Sequence, residues 1–191
     1  MGTSPNKQER DCLLLLSGGI DSAACLLYYK NLDFNITPVF VNYGQAAYSG
    51  EILSAKSVSR HYGYHLEEIF VDVKRVFYQG EIRGRNALLL FSALLSHQKY
   101  SGILAIGIHD GTEYYDCSVQ FQKDMNKLLA GYTQGNVVLE APFINWNKKM
   151  IYHYCKENNV PTDLTYSCEN GTIPPCGKCN SCLDRRYLHV D

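Results

Sequence analysis

Directly behind the apolar run Leu13-Leu14-Leu15-Leu16 stands Ser17-Gly18-Gly19-Ile20-Asp21-Ser22, and no other stretch constrains the chain as much. A short leucine run followed by paired glycines and a helical pattern reads as strand, tight turn, helix. Adjacent glycines let the backbone turn sharply and carry its N–H groups close to an anion, at which the following helix aims its positive end. Ser17, Asp21 and Ser22 then offer two hydroxyls and a carboxylate where phosphate oxygens and a magnesium ion would meet them. The spacing is not that of Walker A, and no lysine follows the glycines, which argues against an ordinary P-loop kinase or GTPase. The ligand-free alternative is a serine-capped helix after a turn.

A chain of 191 residues can bury a proper core as one domain. With 18 basic and 19 acidic residues the formal charge is -1, so bulk charge does not point to a polyanion and no direct nucleic-acid binding is expected. No stretch has the length and apolarity of a membrane span, and the start Met1-Gly2-Thr3-Ser4-Pro5 lacks the apolar core of a secretory signal. A cytoplasmic protein with a disordered leader over residues 1–10 is the expectation, with a weak myristoylation signal at Gly2.

Eight cysteines in such a chain favour metal or catalysis over disulfides. Cys168, Cys176, Cys179 and Cys182 form a C-x7-C-x2-C-x2-C array within a Pro/Gly loop. Three thiolates from that loop and Cys168 from upstream make a closed tetrahedral zinc site, structural rather than hydrolytic. An iron–sulfur cluster also suits four thiolates. Cys12, Cys25 and Cys155, set among apolar neighbours, are expected as buried fillers.

Strand and helix patterns alternate along the chain. Strands are expected near Leu13–Leu16, Ile36–Val41, Leu66–Val71, Ile103–Ile108 and Val137–Leu139. Helices are expected over Asp21–Lys30, Ser49–Tyr62, Asn86–Tyr100, Cys117–Leu129 and Lys148–Glu157. In the third helix Leu88, Leu89, Phe91, Ser92 and Leu95 form the apolar stripe. This rhythm predicts an α/β fold, a parallel twisted sheet with helices on both faces and right-handed crossovers. Ligands bind beyond the carboxyl ends of such strands, so the phosphate loop, Asn42-Tyr43-Gly44-Gln45 and Gly107-Ile108-His109-Asp110 should share one crevice. The expected division is an ATP-binding domain over 11–163 and a zinc-binding segment over 164–191 packed on it.

The Ser-Gly-Gly-x-Asp-Ser loop resembles that of the PP-loop ATP pyrophosphatase superfamily, which cleaves ATP to AMP and pyrophosphate. Further along come Val41-Asn42-Tyr43-Gly44-Gln45, Gly84-Arg85-Asn86, Ala105-Ile106-Gly107-Ile108, Tyr115-Asp116-Cys117 and Ala141-Pro142-Phe143-Ile144-Asn145 with Lys148. Leu164-Thr165-Tyr166-Ser167-Cys168 and the cysteine array close the series. Together these resemble the 7-cyano-7-deazaguanine synthase family of queuosine biosynthesis, from about Leu13 to Arg186. The resemblance implies adenylation of the carboxylate of 7-carboxy-7-deazaguanine by ATP, attack by ammonia to give an amide, and a second ATP-driven step to the nitrile. It implies ATP, Mg2+ and Zn2+ as cofactors and a homodimer, for which Tyr28-Tyr29 and Tyr152-His153-Tyr154 are candidate contacts.

Charge neutralisation over the triphosphate falls to magnesium, the loop N–H groups, Arg85 and Lys148, with Lys149 as the competing lysine. Asn86 opens the helix beside Arg85 on the nucleotide side. Tyr43, Gln45, Tyr114, Tyr115 and Asp116 suit the flat deazaguanine ring. Asp116 serves equally as a helix N-cap, Cys117 as a packing cysteine or a residue beside the reacting carbon, and His109 as an acid–base group or a structural histidine. The chain departs from the family pattern at Ala46-Ala47, in the short connection from Val71 to Gly84 with Arg83 before Gly84, in Gly111-Thr112-Glu113-Tyr114-Tyr115, and at Ser118. These departures keep open a paralogue that hands the activated acid to an amine on a partner protein, as in bacterial antiviral defence, and a catalytically idle nucleotide-binding module.

Overall fold

The computed structural model describes residues 10–188 except Arg75, Tyr78, Gln79, Asp110 and Thr112. Residues 1–9 of the expected leader, Asp110 of the expected crevice and residues 189–191 lie outside the described residues.

Five parallel strands form one sheet: β1 (Asp11–Leu15), β2 (Asn35–Asn42), β3 (Glu67–Phe70), β4 (Gly102–Ile106) and β5 (Val137–Glu140), in the order β3-β2-β1-β4-β5. The leucine run at β1 is buried on both sides because successive side chains of a strand point to opposite faces. Cys12, Leu14 and Leu16 join a core with helices α1 (Ile20–Asn31), α2 (Tyr48–His61) and α5 (Lys148–Glu157). Leu13 and Leu15 join a second core with α3 (Arg85–Ser96) and α4 (Val119–Thr133). Helices therefore cover both faces, and each fully buried leucine contributes roughly 1.5–3 kcal/mol. Cys12, Cys25 and Cys155 are buried fillers as expected.

β1 pairs with β2 on one side and β4 on the other. The chain leaves β1 for a helix on one face and leaves β4 for a helix on the opposite face, so the two loops diverge and open a crevice. Gly107 permits the close approach there, since a Cβ on it would come within 2.9 Å of the Asp21 carbonyl oxygen.

Four local expectations are corrected. α3 ends at Ser96 rather than Tyr100, because His97 leaves helical geometry and its ring meets the Ala93 carbonyl at 2.9 Å. Tyr100 instead plugs the sheet, its hydroxyl accepting from Leu13 N–H at 2.9 Å and donating to Ile103 O at 2.6 Å. Of the expected stripe, Ser92 is buried and Leu89 and Phe91 pack half-buried against the core, but Leu88 and Leu95 are exposed, and Asn86, Leu90 and Ala93 are the other buried residues of α3. The helix expected over Cys117–Leu129 is present as α4 but starts at Val119 and runs to Thr133: Cys117 belongs to a preceding 3-10 turn, Tyr115–Cys117, and Ser118 caps α4 by accepting from Phe121 N–H at 3.1 Å. Tyr29 offers no surface for a contact, being fully buried and donating to Glu140 at 2.8 Å, while Tyr28 is half-buried and packs edge-on against Phe143. Tyr154 likewise lies against Phe143 and Trp146. A final helix α6 (Asn180–Tyr187), not anticipated, carries Cys182. Among the described residues no helix is long and apolar enough to cross a membrane.

Candidate active site

The loop from Ser17 to Ser22 turns on Gly18, whose φ of 83° favours glycine. Space demands glycine there too: a Cβ would come within 2.6 Å of the Glu51 carbonyl oxygen and 2.8 Å of Ala55 N. Gly19 stands at the N-cap of α1 with no side chain taking the cap hydrogen bond, so the first-turn N–H groups are left for an anion. Ser22 donates to Gly19 O at 2.9 Å, and the Ser17 and Ser22 hydroxyls lie 3.2 Å apart. The Gly18 carbonyl accepts from Ser54 Oγ at 2.6 Å and from Tyr166 N–H at 3.0 Å. The loop is thus held from behind by α2 and by the C-terminal segment.

Asp21 Oδ2 lies 3.5 Å from Lys148 Nζ and 3.5 Å from His109 Nε2. The two lysines part here: Lys148 reaches Asp21, whereas Lys149 sits over the Tyr187 ring at 5.3 Å. Arg85 opens α3 after Gly84, and its Nε donates to Asn86 Oδ1 at 3.1 Å. Burial pushes the Tyr43 phenol up, and the Arg85 guanidinium hydrogen-bonded to it pulls the other way. Gln45 is buried: its Oε1 accepts from Tyr43 N–H at 3.0 Å and its Nε2 donates to Glu51 Oε2 at 3.0 Å. Ser17, Gly19, Asp21, Ser22, Tyr43, Gln45, Arg85 and Asn86 line one cavity of about 230 Å3. An adjoining cavity of about 340 Å3 shares Asp21, Tyr43, Gln45 and Arg85 and adds Lys148, His109, Tyr114 and Cys117.

Two expected substrate residues are placed otherwise. Asp116 is buried, and its carboxylate accepts from the Asn86 N–H at 3.3 Å while its carbonyl accepts from Asn86 Nδ2 at 2.8 Å. It therefore braces the first turn of α3, the neighbouring helix, rather than capping its own. Tyr115 is exposed and donates to Asp124 on α4 at 3.0 Å.

Cys168, Cys176, Cys179 and Cys182 converge with all four Sγ atoms within 4.8 Å of one another. Cys176 N–H donates to Cys168 Sγ at 3.3 Å and Cys179 N–H to Cys176 Sγ at 3.4 Å. Burial works against the Cys168 thiolate, yet the Cys176 N–H, the Thr172 hydroxyl and the backbone N–H groups of Thr172 and Asn170 outweigh it and hold its pKa down. This segment also reaches the crevice. Glu169, Ser181 and Asp184 line the 340 Å3 cavity, and Glu169 fixes the start of α6 by accepting from Ser181 N–H at 3.0 Å and Oγ at 2.7 Å. Gly50 and Gly171 allow the docking, since a Cβ on the first would enter the Tyr166 ring and one on the second would strike the Ala46 carbonyl.

Sequence reasoning missed Glu51, in the first turn of α2, which lines both cavities. Burial raises its pKa, while Gln45 and Arg85 pull it down. The available signal was its position one turn into the helix that follows Tyr43-Gly44-Gln45.

The family model described as "Queuosine biosynthesis protein QueC" matches residues 11–80 and 77–189. A protein named 7-cyano-7-deazaguanine synthase from Sulfurihydrogenibium sp. (strain YO3AOP1) is 26% identical over 207 residues, covering 93% of each chain. One of the same name from Acidobacterium capsulatum is 29% identical over 211 residues, covering 94% of this chain and 91% of that one. Among solved structures, U34-tRNA thiolase NcsA from Methanococcus maripaludis with its [4Fe-4S] cluster aligns with a TM-score of 0.58 at 15% identity, over 98% of this chain and 66% of that one. NMN synthetase from Francisella tularensis aligns with a TM-score of 0.53 at 18% identity, over 83% and 66%. At these identities the solved structures speak for the fold alone. The uncapped helix behind a glycine turn, the converging Asp21, Arg85 and Lys148, the four gathered cysteines and a family match spanning nearly the whole chain lead to one conclusion: this chain is an enzyme of the QueC family, built on the PP-loop fold.

Proposed function

We propose that the protein adenylates the carboxylate of 7-carboxy-7-deazaguanine with ATP and passes the acyl group to ammonia. A second ATP then converts the amide to the nitrile, and AMP and pyrophosphate leave each time. The observation that carries this reading is the uncapped first turn of α1 opening on the same cavity as Asp21 and Arg85. A carboxylate attacking phosphorus must approach an anion, so the site has to neutralise charge before chemistry starts. The N–H groups of the first turn of α1, behind Gly19, meet the phosphates, while Lys148 and Arg85 supply cationic partners from α5 and α3. Asp21 with the Ser17 and Ser22 hydroxyls makes a hard oxygen set that would hold Mg2+, which supplies Lewis-acid neutralisation when bound. Tyr43 offers a ring face, and Asn86, braced by Asp116, keeps Arg85 oriented. Cys117 stands beside the larger cavity, next to the acceptor space.

The cysteine cluster fits a single zinc ion. A tetrahedral ion with Zn–S bonds of about 2.3 Å sets its sulfurs roughly 3.8 Å apart, and Cys176 and Cys182 Sγ lie 4.0 Å apart. An iron–sulfur cluster would interpose iron and sulfide between the thiolates and spread them wider. Zinc then stabilises a 164–191 segment that backs the 11–163 nucleotide domain. The protein works in the cytoplasm as a homodimer, without membrane or nucleic-acid partners. A protein amine in place of ammonia is favoured by one feature, the short connection between Val71 and Gly84 beside the acceptor space.

Mass spectrometry of products from magnesium ATP, 7-carboxy-7-deazaguanine and ammonium, with Asp21→Ala as control, tests the reading. AMP together with nitrile supports it. AMP with a protein mass adduct moves the acceptor to a protein amine, and absence of AMP rejects adenylation.

A further inference from the structure

Glu51 carries the wrong charge for the site just described. The cavity has to accept a polyphosphate and a carboxylic acid, yet the first turn of α2 projects a carboxylate into it. That carboxylate is tied in place. Its Oε2 accepts from Gln45 Nε2 at 3.0 Å, and Gln45 is itself fixed through Tyr43 N–H at 3.0 Å and Val41 O at 3.3 Å. The charged groups sharing its surroundings are Arg85, Asp21, Lys148, Glu169, Asp184 and Arg185. Keeping an acid there costs desolvation that an uncharged residue would avoid.

Three roles would repay that cost: a brace for Gln45, a magnesium ligand, or an acceptor for protons brought in by a cationic substrate. The brace needs no charge, because Val41 O already accepts from the same Gln45 nitrogen. A second cation is disfavoured beside the Arg85 guanidinium, and Asp21 has the hydroxyl partners a hard ion prefers. We propose that Glu51 is the proton acceptor for the amine nucleophile, which enters as a protonated primary amine, either ammonium or the alkylammonium of a partner.

This rests on the adenylating reading above. The amine surrenders one proton to the Glu51 carboxylate, and its freed lone pair forms the C–N bond at the acyl carbon. The bond from that carbon to the AMP oxygen breaks, and AMP leaves with the electron pair. The second nitrogen proton passes to the departing phosphate or to water, and Glu51 returns its own to solvent. Burial raises the Glu51 pKa, which moves the carboxyl toward the range where a general base works at neutral pH.

The test uses Glu51→Gln and Glu51→Asp in the full chain, with three readouts. These are ATP–pyrophosphate exchange dependent on 7-carboxy-7-deazaguanine, amide plus nitrile formed from ammonium chloride or from glycinamide, and hydroxamate formed from hydroxylamine, whose nitrogen is already unprotonated at neutral pH. For Glu51→Gln, exchange and hydroxamate should stay within about fivefold of wild type, while product from whichever amine the wild type uses falls at least ~100-fold. Glu51→Asp should recover part of that loss. Use of ammonium or of glycinamide by the wild type identifies the source of the amine. Equal loss of exchange and amide formation would make Glu51 a brace or a magnesium ligand, and loss of hydroxamate with exchange intact would make it a nucleophile-positioning residue. Either result overturns the proposal. A wild type without exchange would instead reject the adenylating reading, and this proposal with it.

Discussion

The two walls of the crevice face the same space on opposite terms. The wall from Ser17 to Ser22 is clamped by buried contacts: Ser54 and Tyr166 both donate to the Gly18 carbonyl, and Gly18 has no room for a side chain. Among the described residues of the wall from 71 to 84 and 107 to 117, Val71 N–H donates to Asn42 O at 2.8 Å, the Phe77 carbonyl accepts from Ala46 N–H at 2.8 Å and Phe77 N–H donates to Gly44 O at 3.0 Å. This wall leaves Val76, Tyr114 and Tyr115 exposed. A loop set by close backbone approaches tolerates little variation, whereas one resting on few contacts can change length and residue type without unfolding the sheet. Two of the departures read from the sequence, the 71–84 connection and residues 111–115, fall on the second wall.

Metal removal should separate the walls most strongly. Structural zinc supplies folding energy outright, so chelation should cost several kcal/mol in the cysteine segment and release Tyr166 from Gly18. Hydrogen exchange would then rise across residues 17–22 and stay unchanged at Phe77. Unchanged exchange at the first wall would mean that the segment does not clamp it. Gly171→Ala comes next. Its φ of 68° and the Ala46 carbonyl in the path of a Cβ predict a loss of roughly 2–4 kcal/mol by thermal or denaturant unfolding. A change under 0.5 kcal/mol would show that the docking is loose.

Lys148→Met should lower the rate of AMP release by about 10- to 100-fold, as loss of one charge-stabilising contact does, while Lys149→Met leaves it within twofold. Equal effects would remove Lys148 from the first wall's electrostatics. The smallest effect concerns pH. A carboxyl whose folded pKa is raised makes the fold lose stability as pH climbs from the unfolded value toward the folded one. Glu51→Gln should therefore be at least as stable as wild type at neutral pH without ligand, with any advantage fading as pH falls toward the ordinary Glu value of 4.5. A variant less stable at neutral pH would mean that the Gln45 and Arg85 contacts outweigh burial.

The loop was legible because its chemistry is local, six residues in a row between a strand and a helix. The cysteines spoke through spacing in the same way, yet that signal concerned metal and hid α6, whose short polar sequence has no apolar stripe. α3 misled because leucines at 88, 89, 90, 94 and 95 fit more than one face, and only packing of Leu90 and Ala93 against the sheet selects between them. Glu51 was illegible because its meaning lies in Gln45, brought opposite by the turn at Gly44, whose φ is 85°. Lys148 and Lys149 differ only by the direction in which the first turn of α5 sends them. Chemistry within one turn could be read from the chain, whereas chemistry assembled across turns needed coordinates.

The central claim is that the acid's own oxygen attacks the α-phosphorus of ATP. It is tested most directly by supplying 7-carboxy-7-deazaguanine labelled with 18O in its carboxylate and weighing the released AMP. Transfer of one labelled oxygen to AMP is the predicted result. Unlabelled AMP, or ADP in its place, would contradict it.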